Sequence, residues 1–222
     1  MPQIIPVILA KDLNEFTHKL NLLRPLQTLI QVDVVDGKFA PYLTFSDPEI
    51  IKQIAMPPFE LDLMVERPLK QVGAWAKAGV EVFIFHLESK DDPWLVIKEV
   101  KKYHLKVGMS LNPDTPWQAL EPYLGQIDCV LFLGVHPGKS GQEFIPEVLE
   151  KIKEFHQKYP KMPFEIDGGV TEDNVEVLAK TGATRLAASS AILKSDNPKE
   201  AFKKLSEMAS AGGILGSSIP KN

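Results

Sequence analysis

The sequence predicts a single-domain α/β fold, a closed (β/α)8 barrel of eight parallel strands, on three observations. Short runs rich in Val, Ile, Leu and Phe alternate with segments of helical periodicity along the whole chain. Eight strand-then-helix units fit into about 210 residues, the count of a TIM barrel rather than of an open doubly wound sheet. No Pro/Gly-rich linker or break in composition divides them, so residues 1–210 are expected to form one barrel. The Gly- and Ser-rich end, GGILGSSIPKN, is expected to make 211–222 a flexible tail.

The units follow in order. A strand over 4–10 (IIPVILA) leads to a helix in DLNEFTHKLNLL, and one over 29–35 (LIQVDVV) leads to DPEIIKQI. The third strand, 59–65 (FELDLMV), precedes PLKQVGAWAKAG, and the fourth, 81–87 (EVFIFHL), precedes DPWLVIKEVKKY. The fifth, 106–112 (KVGMSLN), and sixth, 129–135 (CVLFLGV), are followed by TPWQALEPYL and IPEVLEKIKEFHQKY. The seventh, 163–169 (PFEIDGG), and eighth, 184–190 (TRLAASS), precede TEDNVEVLAKTG and NPKEAFKKLSEMAS. Apolar residues recur in the second member of each pair at spacings of three and four. SDP, DDP, DTP and DNP open four of these helices, giving a side-chain cap and a preset φ in the first turn.

Of 222 residues, 44% are hydrophobic and 24% charged, enough apolar material for a sizeable core. The net charge of −4 is spread along the chain, which gives no support to nucleic-acid binding and leaves a small, possibly anionic ligand to be held locally. The one cysteine, Cys129, lies in an apolar run and reads as a buried small hydrophobe in a reducing compartment. No basic segment precedes the short apolar run at the N-terminus, and no run approaches the roughly 18 apolar residues of a membrane span, so a soluble, cytoplasmic, unprocessed protein without membrane contact is expected.

Alternate residues of a barrel strand face the interior, and chemistry sits at the carboxyl ends of the strands. That parity groups Gln31 with Asp33, Asp62 with Met64, His86 with Glu88, Ser110 with Asn112, and Glu165 with Asp167. Each alone reads equally well as a strand-end residue bonded to a loop. Three aspartates aimed at one mouth do not, because buried carboxylates are costly unless paired, protonated or metal-bound. Asp36 has the opposite parity and precedes Gly37, so it reads as turn chemistry. Gly168 and Gly169 end the seventh strand and Ser189 and Ser190 the eighth, where barrels commonly bind phosphate, although a Gly-Gly pair also suits a plain tight turn. The loop HPGKSGQEFIP, 136–146, reads as a mobile lid or an ordinary surface loop.

The stretches VDVVDGKFAPYLTF, LDLMVERP, HLE, LNPDTP, VHPGKSGQEFIPEVLEKI, IDGGV and SSAI together resemble the ribulose-phosphate 3-epimerases over nearly the whole chain. The resemblance implies that Asp33 and Asp167 are the acid and base that exchange a proton beside a ketose carbonyl, on opposite faces of a planar enediolate. It implies anchorage of a sugar phosphate by Gly138, Lys139, Ser140 and Gly141 of the lid, by Gly168 and Gly169, and by Ser189 and Ser190. HLE resembles the family's fourth strand, where the histidine's role looks structural. A homo-oligomer is expected, since exposed helix faces of barrels often pair.

The departures are as specific as the matches. Members of that family usually hold a divalent metal with two histidines and the two aspartates; Gln31 and Asp62 stand at the histidine positions. Val7 replaces a serine, Lys139 the lid's phenylalanine, Ser140 its glycine and His136 an asparagine. Two arrangements follow. An all-oxygen ligand set would favour Mg²⁺ or Mn²⁺ over zinc or iron. In an empty site, clustered carboxylates would raise one another's pKa, and Asp62 or Lys139 would meet the enediolate charge. The empty site, with no metal or other cofactor, is the expectation, because glutamine is a poor ligand and the lid gains a cation. C3 epimerisation of D-ribulose 5-phosphate or a related ketose phosphate leads, and a phosphosugar-binding barrel without turnover is the alternative. Related barrels that decarboxylate or condense sugar phosphates carry a lysine two residues beyond the third-strand aspartate, where this chain has Met64.

Overall fold

A computed structural model describes residues 1–139 and 141–216. Eight parallel strands close into a barrel in chain order, and the eighth pairs back onto the first. They are β1 (Gln3–Ile8), β2 (Ile30–Val35), β3 (Phe59–Met64), β4 (Val82–His86), β5 (Lys106–Leu111), β6 (Cys129–Leu133), β7 (Phe164–Asp167) and β8 (Arg185–Ala188). Each overlaps its predicted run. β7 stops at Asp167 because Gly168 and Gly169 turn to φ +95° and +70°, a backbone that glycine alone adopts without strain.

Around the barrel lie α1 (Leu13–Leu23), α2 (Pro48–Gln53), α3 (Val72–Ala78), α4 (Pro93–Lys102), α5 (Val148–Lys158), α6 (Val175–Ala179), α7 (Ser190–Leu193) and α8 (Pro198–Gly216). The predicted Asp caps form at Asp47 and Asp92, and Asp12 adds one that the sequence reading does not name; their carboxylates accept backbone N–H groups of the first turns. TPWQALEPYL departs from expectation, giving only a 3-10 turn over Trp117–Leu120. Thr115 gives its hydroxyl to Glu88 instead of capping, and Pro122 would break any longer helix.

The expected tail begins too early. α8 runs through 211–216, and 217–222 lie outside the described residues. Gly212 explains the difference: a Cβ there would stand 2.7 Å from the carbonyl oxygen of Glu176 and 2.9 Å from its Cα. The glycine marks close packing of α8 on α6 rather than a loose chain. Among the described residues no helix is long and apolar enough to cross a membrane.

Outward strand residues and the inward helix faces form one large apolar layer, with Phe16, Trp75, Phe132, Phe155 and Phe164 fully buried in it. Inside the barrel the fill is mixed. Val82, Ile84, Cys129, Leu131 and Leu133 form one small apolar cluster, and Ile5, Val7 and Ala187 another. Burial pushes the Cys129 thiol up to about 12, so it packs as the inert group that its apolar run predicts. At the amino-terminal end of the barrel Arg185 lies 2.6 Å from Glu60 and 3.1 Å from Glu165, both fully buried. Burial raises both carboxyls, and Arg185 opposes that rise.

Arg185→Met should cost about 3–5 kcal/mol in urea unfolding at pH 8, because it strands buried carboxylates. Carboxyls with raised native pKa lose stability as pH rises, so the deficit should shrink towards pH 5, where they take up protons. An equal deficit at both pH values would refute this account.

Candidate active site

Three strands deliver three aspartates to the carboxyl end of the barrel. Asp33 and Asp62 are direct neighbours in the β2–β3 register, and Asp167 closes β7. Parity brings them together as the sequence predicts: carboxylate oxygens from all three lie within 4.8 Å of one another. A cluster of this kind could hold a metal ion.

Gln31, one inward step below Asp33 on β2, joins two of them. Its side-chain nitrogen donates to Asp33 Oδ1 at 2.8 Å and to Asp167 Oδ2 at 2.8 Å. With both carboxylates ionised, the reverse amide orientation would set oxygen against oxygen, so the N–H end faces them. Gln31 is fully buried, and its Oε1 has no hydrogen-bond partner among the described residues.

Asp62 turns to β4, where His86 Nε2 stands 3.2 Å from Oδ1 and 3.4 Å from Oδ2. The other imidazole nitrogen lies 3.6 Å from Glu88, and the Phe39 ring covers His86 at a centroid distance of 4.8 Å. Glu88 in turn accepts from the Asn112 N–H at 2.8 Å and from the Thr115 hydroxyl. Burial alone would lower the His86 pKa, but Asp62 and Glu88 outweigh it and hold the imidazole at about 9, a cation at neutral pH. The strand parity put His86 at this level; its link to Asp62 required the β3–β4 register.

The two bridged aspartates are poised differently. Burial raises Asp33 well above the ordinary carboxylate range, and the nearby charges of Asp167 and Asp62 add to the rise. Burial, then Asp62, lifts Asp167 to about 7, against the Gln31 hydrogen bond and the Gly168 N–H. Two adjacent carboxyls of this kind hold a proton between them near neutrality.

Beside them lies a cavity of about 50 Å³, room for a few waters. Val7, Leu133 and Val135, the carboxyls of Asp33 and Asp167, and residues of the loop after β6 line it. Of the expected anion-holding residues, Gly138, Lys139, Gly141, Gly168, Gly169, Ser189 and Ser190 all line it; Ser140 lies outside the described residues. The Ser189 hydroxyl donates to the Val7 carbonyl at 3.2 Å, so it also ties the β8 end to β1.

Close backbone approach shapes this end. A Cβ on Gly169 would stand 2.5 Å from the Phe144 nitrogen, and one on Gly168 2.5 Å from Val135 Cγ2. Sequence reasoning passed over Gln142, whose side-chain nitrogen donates to the His136 carbonyl at 2.8 Å and to the Lys139 carbonyl at 2.9 Å, folding the loop on itself. A glutamine just after the second lid glycine was the available signal. Asp36 does turn work as expected, accepting from Lys38, Phe39 and Glu66 N–H groups.

The ribulose-phosphate 3 epimerase family model matches residues 3–193. A ribulose-phosphate 3-epimerase of Mycobacterium bovis is 34% identical over 222 residues, spanning 96% of this chain and 95% of that protein. One of Bacillus subtilis is 31% identical, over 92% of this chain and 98% of that protein. Among solved structures, the 3-hexulose-6-phosphate synthase of Salmonella typhimurium superposes with a TM-score of 0.71 at 14% identity, covering 95% of this chain and 99% of that one. At that identity the likeness concerns the fold alone. With nearly its whole length matched by the family model and by relatives above 30% identity, the chain belongs to the ribulose-phosphate 3-epimerase family.

Proposed function

We propose that this chain is an isomerase that inverts C3 of a ketose phosphate, D-ribulose 5-phosphate or a close relative, with Asp33 and Asp167 as the proton-transfer pair. The carrying observation is the placement of these carboxyls on either side of one amide nitrogen, 2.8 Å from each. Inversion needs one group to take the C3 proton from one face while another returns a proton to the opposite face. A pair that shares a proton near pH 7 supplies a base and an acid at once. His86, held as a cation beside Asp62, offsets the negative charge that develops on the enediolate.

At the other end, the backbone at Gly138, Gly141, Gly168, Gly169, Ser189 and Ser190 would receive the phosphate, with the Lys139 cation beside it; the expected role of Ser140 falls outside the described residues. The loop after β6 lines this cavity, so its placement would govern how much of a ketose phosphate the site admits. The three carboxylates could receive a divalent ion, but in the arrangement described the chain's own donors occupy them. Gln31 directs N–H groups, not a lone pair, at two of the carboxylates, and His86 serves the third. Any ion that displaced those contacts would meet oxygen ligands and would be Mg²⁺ or Mn²⁺ rather than zinc or iron.

Asp33→Asn should lower solvent deuterium exchange at C3 of D-ribulose 5-phosphate by about 10³-fold or more, followed by proton NMR in D₂O. Exchange undiminished in this variant would overturn the assignment. Asp167→Asn should lose exchange too, yet unfold at higher temperature than the wild type at pH 8. The native Asp167 pKa of about 7 stands above the ordinary 3.8, so the wild type carries a penalty that grows as pH rises through this window. The variant's advantage should be about 2–4 kcal/mol at pH 8 and fade by pH 4. A thermal shift independent of pH would contradict it.

A further inference from the structure

We infer that Gln31 is a positioning residue that assembles the acid–base pair by bridging Asp33 and Asp167 with its amide, so that the site works without a divalent cation; the inference rests on the epimerase reading above. Three observations carry it. The side-chain nitrogen has two hydrogens and no available lone pair, and each hydrogen has its own carboxylate oxygen at 2.8 Å. Gln31 is fully buried, so no water competes for those hydrogens. Asp62 is engaged by His86 at 3.2 Å, which leaves each of the three carboxylates with a donor belonging to the chain.

The geometry does what a bridging cation does for orientation, but by different means. A cation between Asp33 and Asp167 would draw in both carboxylates as anions and compete with the proton that one of them must carry. The amide is neutral, gives one hydrogen bond to each side, and neither gains nor loses a proton in the working pH range. It fixes the torsion of both carboxyls while leaving them free to trade roles as acid and base. Packing alone would not select this residue: a leucine or methionine fills the same interior position without a donor, and strand interiors of barrels favour such side chains.

The test compares chelator-dialysed wild type, shown metal-free by mass spectrometry, with Gln31→Met and Gln31→Glu, each checked for cooperative unfolding. Wild-type C3 exchange should change by less than twofold when Mg²⁺ or Mn²⁺ is added. Gln31→Met, similar in length but without N–H groups, should lose about 100-fold in kcat with KM within about threefold, the split expected when reacting groups are misplaced rather than substrate lost. Gln31→Glu exchanges the donor for an anion and should bind Mn²⁺ at least tenfold tighter than wild type in calorimetric titration. A tenfold loss of wild-type exchange on chelation that Mn²⁺ restores would overturn the inference. So would unchanged kcat in Gln31→Met, or equal Mn²⁺ affinity in wild type and Gln31→Glu. Absence of exchange in wild type with and without metal would sink the epimerase reading instead, and the Mn²⁺ comparison would still decide whether the amide holds the place of an ion.

Discussion

Like charges confined along the axis of a closed barrel are the constraint on which this structure turns. Asp33, Asp62, Asp167, Glu60 and Glu165 all point inwards, and none is more than 8% exposed. Carboxylates buried together repel and lose hydration, so each must find a counter-charge, a donor or a proton. The chain answers differently at the two ends. Arg185 serves both glutamates at the amino-terminal end. At the mouth, His86 provides one cation for three aspartates and Gln31 provides only neutral donors. Burial first, and then the charge left uncompensated there, raises Asp33 and Asp167 above the ordinary carboxylate range.

The rest of the architecture keeps that imbalance from relaxing. Strand pairing fixes Asp33 beside Asp62. The chain Asp62–His86–Glu88 continues into the Asn112 and Thr115 backbone turn, and Lys151 of α5 donates to the carbonyls of Asn112, Pro113 and Thr115 beyond it. A histidine whose role could be judged structural from its strand alone is therefore electrostatically joined, through Asp62, to the Asp33–Asp167 pair. Stability and proton transfer draw on the same contacts here.

Much of the barrel could be read from periodicity, because eight apolar runs separated by amphipathic segments admit few other topologies, and parity then selected Asp33, Asp62 and Asp167 as neighbours. Local signals failed where tertiary context reversed their meaning. Gly212 and Gly213 read as flexibility but allow α8 to lie against α6 and the N-terminus, and TPWQALEPYL has helical spacing but spends its cap on Glu88. The substitution Gln31 was visible as a lost imidazole. That its amide would span two strands far apart in sequence was not, since no local pattern encodes a contact between residues 31 and 167. Nor does sequence spacing show that Asp62 faces His86.

The contact of Gly169 with the Phe144 backbone binds the segment after β7 to the segment after β6. With Gly134 also donating its N–H to the Asp167 backbone carbonyl at 2.6 Å, the two connections meet at the residue whose side chain completes the aspartate cluster. The backbone of Asp167 and the loop after β6 are therefore mechanically joined. On the epimerase reading, the loop that lines the anion end of the cavity and the strand end that carries Asp167 share one support.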